Sequence, residues 1–269
     1  MTTPLPTAAY LVCASQRSGS TLLVESLAQV GVAGRPEEHF HFLRHSGLSP
    51  RPREWFSGVT DPEILDLLPP LEAGTPDRRT AEEWVDDTRR VGLSDNGVWG
   101  GKLMWNQVPV LLDRMADWPG RSGDDLRSAI VDLLGADPVW VHVWREDVVP
   151  QAVSFWRAVQ TEVWRGPTPP EVDARARYHA GGIAHLAAIL IEQEAAWRRW
   201  FAAEGITPID IGFRALTADP RAEVGRVLAA IGLDPALAPP PPLQRQGDGR
   251  SAEWVARYRE DAAAGGLPH

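Results

Sequence analysis

Leu11-Val12-Cys13-Ala14-Ser15-Gln16-Arg17-Ser18-Gly19-Ser20-Thr21-Leu22-Leu23 is the stretch on which the fold turns. Its apolar start belongs to a run from Ala8 to Ser15, too short for a helix and suited to a buried strand. Helical spacing then extends from Thr21 to Val30, with Gly31 as its stop. Between them lies a loop of small residues. Such a loop lets main-chain N–H groups approach an anion, and the helix start adds unsatisfied donors and a positive dipole end of about half a charge. The hydroxyls of Ser18, Ser20 and Thr21 can add donors, and Arg17 supplies fixed positive charge. An ordinary strand-to-helix turn has the same local pattern, so the loop alone leaves both readings open. A nucleoside-triphosphatase loop would require lysine where Ser20 stands and glycine where Ala14 stands, which disfavours metal-dependent ATP or GTP hydrolysis.

Outward from this segment, Gly97 to Met104 and Pro138 to Trp144 read as further strands, and Pro208 to Gly212 as a weaker fourth. Helix starts are marked at Asp61-Pro62, at Thr80 with Glu83 in a capping box, at Asp147 and at Asp219-Pro220. Glu171 to Ala203 is the longest helical stretch; Gly181-Gly182 makes it either two helices or one kinked helix. Strands alternating with helices imply crossover connections, hence an α/β fold with a mainly parallel central sheet covered on both faces. Residues 234 to 248, rich in proline, run over the surface to a last helix near Ser251 or else link to a separate unit. The roughly 20 residues that follow are too few to fold alone, so the expectation is a single domain over residues 1–269.

Composition bounds the function. The chain of 269 residues is 43% hydrophobic and 23% charged, the balance of a soluble globular protein. Its 27 basic and 36 acidic residues give a net charge of −9, which argues against non-specific binding to nucleic acid or anionic lipid. An anionic ligand held by a few focused arginines stays possible. Cys13 is the single cysteine, so neither a disulfide framework nor a cysteine-based zinc site is available, and a reducing cytoplasm is the expected location. The N-terminus lacks the basic segment of a secretory signal, and the apolar run Ile183 to Ile191 is too short to span a bilayer.

The run Gln16 to Leu23 resembles the 5′-phosphosulfate loop of sulfotransferases, enzymes whose donor is 3′-phosphoadenosine 5′-phosphosulfate (PAPS). A second run, Trp144-Arg145-Glu146-Asp147-Val148-Val149-Pro150-Gln151-Ala152-Val153-Ser154-Phe155, resembles their 3′-phosphate motif. Further stretches extend the likeness to nearly the whole chain: Gly34 to Phe40, Ser49 to Phe56, Val98 to Gln107, Ala152 to Gly166, Arg250-Ser251 and Trp254 to Arg259. Together they resemble the bacterial trehalose 2-sulfotransferase family.

That resemblance implies a P-loop-like sulfotransferase fold, a PAPS donor gripped by Arg17, Ser18, Gly19, Ser20, Thr21, Arg145 and Ser154, no metal, and a homodimer. It implies a carbohydrate acceptor near Gln16, Arg35, Pro36, Glu37, His39, Phe40, His41, Pro50 and Trp55, although Arg35, Glu37, His39 and His41 depart from the family pattern. It also implies that Glu38 is the base. A sugar hydroxyl is a poor nucleophile near neutral pH, so a positioned base is needed. Read from the sequence alone, Glu37 and Glu38 are equal candidates. Reach is feasible: a helix of about ten residues carries the chain about 15 Å from the loop, and about eight more residues span at most roughly 26–29 Å on the return.

Lys102 and Asn106 stay unassigned, since an ion-pair role for the lysine is as well supported as contact with the reactants. His39, His41 and His45 lack a carboxylate or cysteine partner at ligand spacing. Trp140, Trp144, Trp156, Trp197 and Trp200 have core periodicity, which leaves Trp55 and Trp105 as candidates for stacking on a sugar. The alternatives are a metal-dependent small-molecule kinase and a non-catalytic PAPS- or nucleotide-binding protein.

Overall fold

A computed structural model describes residues 3–240 and 249–269. Four strands, β1 (Ala8–Ala14), β2 (Val98–Met104), β3 (Val139–Trp144) and β4 (Ile209–Gly212), form one sheet in the order β2-β1-β3-β4, with every pairing parallel. The helices are α1 (Ser20–Gln29), α2 (Pro62–Leu65), α3 (Ala81–Gly92), α4 (Val108–Met115), α5 (Leu126–Leu134), α6 (Val148–Thr161), α7 (Pro170–Asp173), α8 (Ala180–Ala203), α9 (Phe213–Ala218), α10 (Pro220–Ala230) and α11 (Gly249–Gly265). The fold is the expected α/β arrangement.

Alternation along β1 builds two cores. Tyr10, Val12 and Ala14 join Leu23 and Leu27 of α1 and Val224, Val227 and Leu228 of α10 on one face. Leu11 and Cys13 join Trp84 of α3, Leu111 of α4, Ile130 and Leu133 of α5 and Trp197 of α8 on the other. A third cluster packs α6 against α8 and α11 through Phe155, Trp156, Leu186, Trp254 and Tyr258. The C-terminal segment thus packs onto the same body. Residues 241–248, within the proline-rich stretch, lie outside the described residues; just before them, Pro235–Leu237 makes one 3₁₀ turn.

The strands fall within a residue of their expected limits, and Asp61, Thr80, Asp147 and Asp219 cap helices as the sequence indicates. The stretch Glu171 to Ala203 is two helices, one of the two options, but the break falls over residues 174–179 rather than at Gly181-Gly182. It holds the single-turn α7 and then an uninterrupted α8, with Gly181 and Gly182 in the first turn of α8 and the His179 side chain accepting from the Gly182 N–H at 3.1 Å. Helices α4 and α5 have no counterpart in the sequence reading, although the Asp125 cap and Gly135 in left-handed conformation mark both ends of α5. Among the described residues no helix is long and apolar enough to cross a membrane.

This topology locates the site. From β1 the chain crosses to β2 on one side, and from β2 it crosses back to β3 on the other, so the crevice beyond the C-terminal end of β1 is where open α/β sheets bind ligands. Ala14 is level with Met104 and Val143 there, and the segments after β1, β2, β3 and β4 meet at that rim.

Candidate active site

The loop after β1 is held from beneath. Gln151 of α6 donates through Nε2 to Ser15 Oγ at 3.0 Å and to the Gln16 carbonyl at 2.7 Å. Arg17 sits in left-handed conformation at φ 61°; its Nε donates to Ser154 Oγ at 2.9 Å and its Nη1 to the Trp164 carbonyl at 2.6 Å. A non-glycine residue there is uncommon and marks a locally constrained loop. Gly19 has φ 98°, and a Cβ on it would lie 2.6 Å from the Phe213 ring. Only glycine fits both constraints. α1 then opens at Ser20, so its first N–H groups, which have no intrahelical acceptor, surround the loop.

Arg145 follows β3. Its guanidinium lies over the Phe213 ring, 4.2 Å from the centroid, and Nη1 donates to the Arg17 carbonyl at 3.5 Å. Glu146 instead accepts from the Arg214 N–H, and Asp147 caps α6 and pairs with Arg259. Among the described residues Arg145 makes no ion pair, and burial draws its guanidinium below the usual range against the pull of Asp147 and Glu146. Ser154, one helical turn or more into α6, bridges this side to Arg17.

Glu37 and Glu38, indistinguishable in the sequence, are separated by strand-like pairing. Glu37 forms an isolated parallel bridge with Gly101, and its carbonyl accepts from the Lys102 N–H at 2.9 Å. The Glu37 side chain turns to Arg165, at 2.6 Å, with both groups about half exposed. Glu38 turns the other way: Lys102 Nζ lies 2.7 Å from Oε1 and Gln107 Nε2 donates to Oε2 at 2.7 Å. Burial pushes the Glu38 carboxyl up, but the Lys102 charge, its hydrogen bond and that of Gln107 outweigh it, holding the group below its ordinary value. The Glu37 carboxyl is also lowered, chiefly by its hydrogen bond from Arg165.

One cleft of about 1280 Å³ joins these parts. Gln16, Arg17, Gly19, Ser20, Thr21, Arg145 and Ser154 line it, as do Glu37, Glu38, His39, His41, Pro50 and Trp55. Four candidates stand back from it. Ser18 is fully buried beneath the loop, Pro36 is buried, Arg35 is exposed elsewhere, and Phe40 packs into the core against Trp84 and Trp99. The His39 Nε2 faces the Arg35 and Gly100 carbonyls at 3.1 and 3.0 Å, so its ring is tied to the main chain. Trp105 does not line the cleft: it packs edge-on against Trp197 at 4.9 Å. Trp140, Trp156 and Trp197 are core residues as expected. Among the described residues no group of three or more His, Cys, Asp or Glu side chains is placed to hold a metal.

The sequence reading missed Gln107, Gln151, Trp164, Arg165 and Phe213, and left Asn106 unassigned. Gln107 and Gln151 lie within the stretches that carry the family likeness, but only tertiary structure gives them partners. Phe213 follows the weakest strand and carried no motif.

Residues 9–261 match the Stf0 sulphotransferase family. Two relatives, each described as trehalose 2-sulfotransferase, share 58% identity with this chain: one from Mycolicibacterium smegmatis over 97% of both chains, and one from Mycobacterium tuberculosis over 96% of this chain and 97% of its own. The chain belongs to the Stf0 sulphotransferase family. An Stf0 sulphotransferase must hold a sulfuryl donor and an acceptor together, and this cleft has a cationic, donor-rich end at the β1 loop and a carboxylate at Glu38. It also has polar groups without protein partners: Gln16 Oε1 and Trp55 Nε1, each on a residue lining the cleft, are buried and unpaired among the described residues. Gln16 Nε2 is oriented by Asn106 Oδ1 at 2.5 Å. An acceptor rich in hydroxyls can serve both a free carbonyl and a free indole N–H, whereas an apolar one would leave both unsatisfied.

Proposed function

We propose that this Stf0 sulphotransferase moves the sulfuryl group of PAPS to a hydroxyl of trehalose, at the 2-position, by in-line displacement with Glu38 as general base. The observation that carries this reading is the Glu38 carboxylate, held by Lys102 and Gln107 in the same cleft as the Gln16–Thr21 loop and Arg145. PAPS supplies an activated sulfuryl group on a phosphate leaving group. The loop N–H groups, Thr21 and Arg17 bind the 5′ side and stabilise charge growing on the departing phosphate. Arg145 and Ser154 grip the 3′-phosphate. Glu38 takes the hydroxyl proton as the new O–S bond forms and the old S–O bond breaks, the electron pair leaving with the 5′-phosphate. Gln16, His41, Pro50 and Trp55 bound the acceptor.

The test is incubation with PAPS and a panel of sugars, read by mass spectrometry. Sulfated trehalose appearing in step with adenosine 3′,5′-bisphosphate, in the presence of chelator, is the expected result. Sulfation of other sugars but not trehalose would overturn the acceptor. Transfer from ATP with magnesium and none from PAPS would overturn the donor. The same reading includes action in the cytoplasm and assembly as a homodimer, the second of which light scattering of the purified protein measures directly.

A further inference from the structure

Both oxygens of the Glu38 carboxylate face nitrogen donors. Lys102 reaches Oε1 from β2, and its side chain is only 1% exposed, off the wall of the cleft. Gln107 reaches Oε2, and its orientation is settled by a second contact: its own Oε1 accepts the Met104 N–H at 3.1 Å, which leaves the amide nitrogen toward Glu38. An ammonium has no lone pair to offer, and neither does an amide NH₂ so placed. A proton on either carboxylate oxygen therefore cannot be accepted by the group already bonded there.

We infer that Lys102 and Gln107 are positioning residues for sulfuryl transfer: together they keep Glu38 an unprotonated acceptor, leave a lone pair on each oxygen for the acceptor hydroxyl, and set the lower pH limit of turnover. The inference rests on Glu38 being the base. Other charges surround the carboxylate without touching it. On its own segment are Glu37 and His41, the latter bonded through Nδ1 to the Glu38 main-chain carbonyl; from the segment after α6 comes Arg165, paired with Glu37. Lys102 is the cation in contact. Without it, burial would act unopposed by that charge and favour the protonated acid, and a base works only above its own pKa. The acid limb of the rate must then move to higher pH. A lysine that merely supported the fold would, on removal, lower the rate by the same factor at every pH.

The experiment is the pH profile of kcat/KM for trehalose at saturating PAPS, in the wild type, Lys102→Met, Gln107→Leu and Glu38→Gln. Methionine keeps the length and apolar stem of lysine without its charge. The expected result is an acid limb displaced upward by about one pH unit or more in Lys102→Met, the size that loss of a contacting opposite charge produces, with alkaline rates within about tenfold of wild type. Gln107→Leu removes a neutral donor and shifts the limb in the same direction by less. Lys102→Arg restores it toward wild type. Should Lys102→Met fail to fold, Gln107→Leu and Lys102→Arg carry the comparison. Acid limbs that stay in place, or move to lower pH, overturn the inference. Wild-type turnover by Glu38→Gln would instead remove the base assignment itself, a separate failure from that of the clamp.

Discussion

Gly19 shows how one residue shapes the loop after β1. Alanine there would have to adopt φ 98° and place its Cβ 2.6 Å from Phe213, the ring on which Arg145 rests. Gly19→Ala is expected to lower affinity for adenosine 3′,5′-bisphosphate at least tenfold, measured by calorimetry, with a fall in melting temperature because a positive-φ substitution strains the loop. Glu38→Gln should behave oppositely: the bisphosphate still binds with wild-type affinity, while kcat falls by about 10²–10⁴, the range for a positioned base. Much of this scale was legible. Arg17, Arg145 and Ser154 stand out from motif and order, and they do meet, Arg17 bonding Ser154 directly. The choice between Glu37 and Glu38 was not, because it depends on a main-chain bridge to β2 across more than sixty positions, and no local pattern records that pairing.

At the scale of elements, α6 and α8 cross where Gly182 meets Trp156. A Cβ on Gly182 would lie 2.8 Å from the Trp156 ring, which is fully buried. Helix propensity alone predicts that Gly182→Ala gains about 1 kcal/mol. Overpacking against a rigid core ring costs ~1–3 kcal/mol, so the variant is expected to melt at lower temperature than wild type, as calorimetry or circular dichroism would register. Here sequence reasoning treated the two glycines as a break in a long helix. Their packing role is invisible without α6, whereas the caps at Thr80, Asp147 and Asp219 were readable because a cap and its helix are neighbours in sequence. Strands were readable for the same reason: alternation along Tyr10 to Ala14 is local, even though the partners on each face are not.

For the whole molecule, the sheet order puts the loop after β1 and the segment after β3 that carries Arg145 on adjacent strands, and brings β2 with Lys102 up on the other side. The wall facing them depends on charge. Hydrogen bonds from Arg79, together with the Arg114 charge, hold the Asp77 carboxyl well below the usual carboxylate range, and the Asp77 main-chain N–H donates to the Arg44 carbonyl, a tie to the segment that carries Phe42. A carboxyl with a depressed folded-state pKa contributes stability above its unfolded value, about 3.9, and loses it as pH falls through the folded one. Asp77→Asn is thus expected to lower the melting temperature at pH 7 and to flatten its decline below about pH 4. The central claim is that two separated grips hold one bisphosphorylated adenosine, and calorimetric titration of adenosine 3′,5′-bisphosphate into the wild type and Arg145→Ala tests it most directly. The account predicts at least tenfold weaker binding in the variant, the loss of one charged hydrogen-bond partner being worth about 1.5–3 kcal/mol, with adenosine 5′-phosphate bound equally by both proteins. Equal affinity of both proteins for the bisphosphate, or no binding by the wild type, would contradict it.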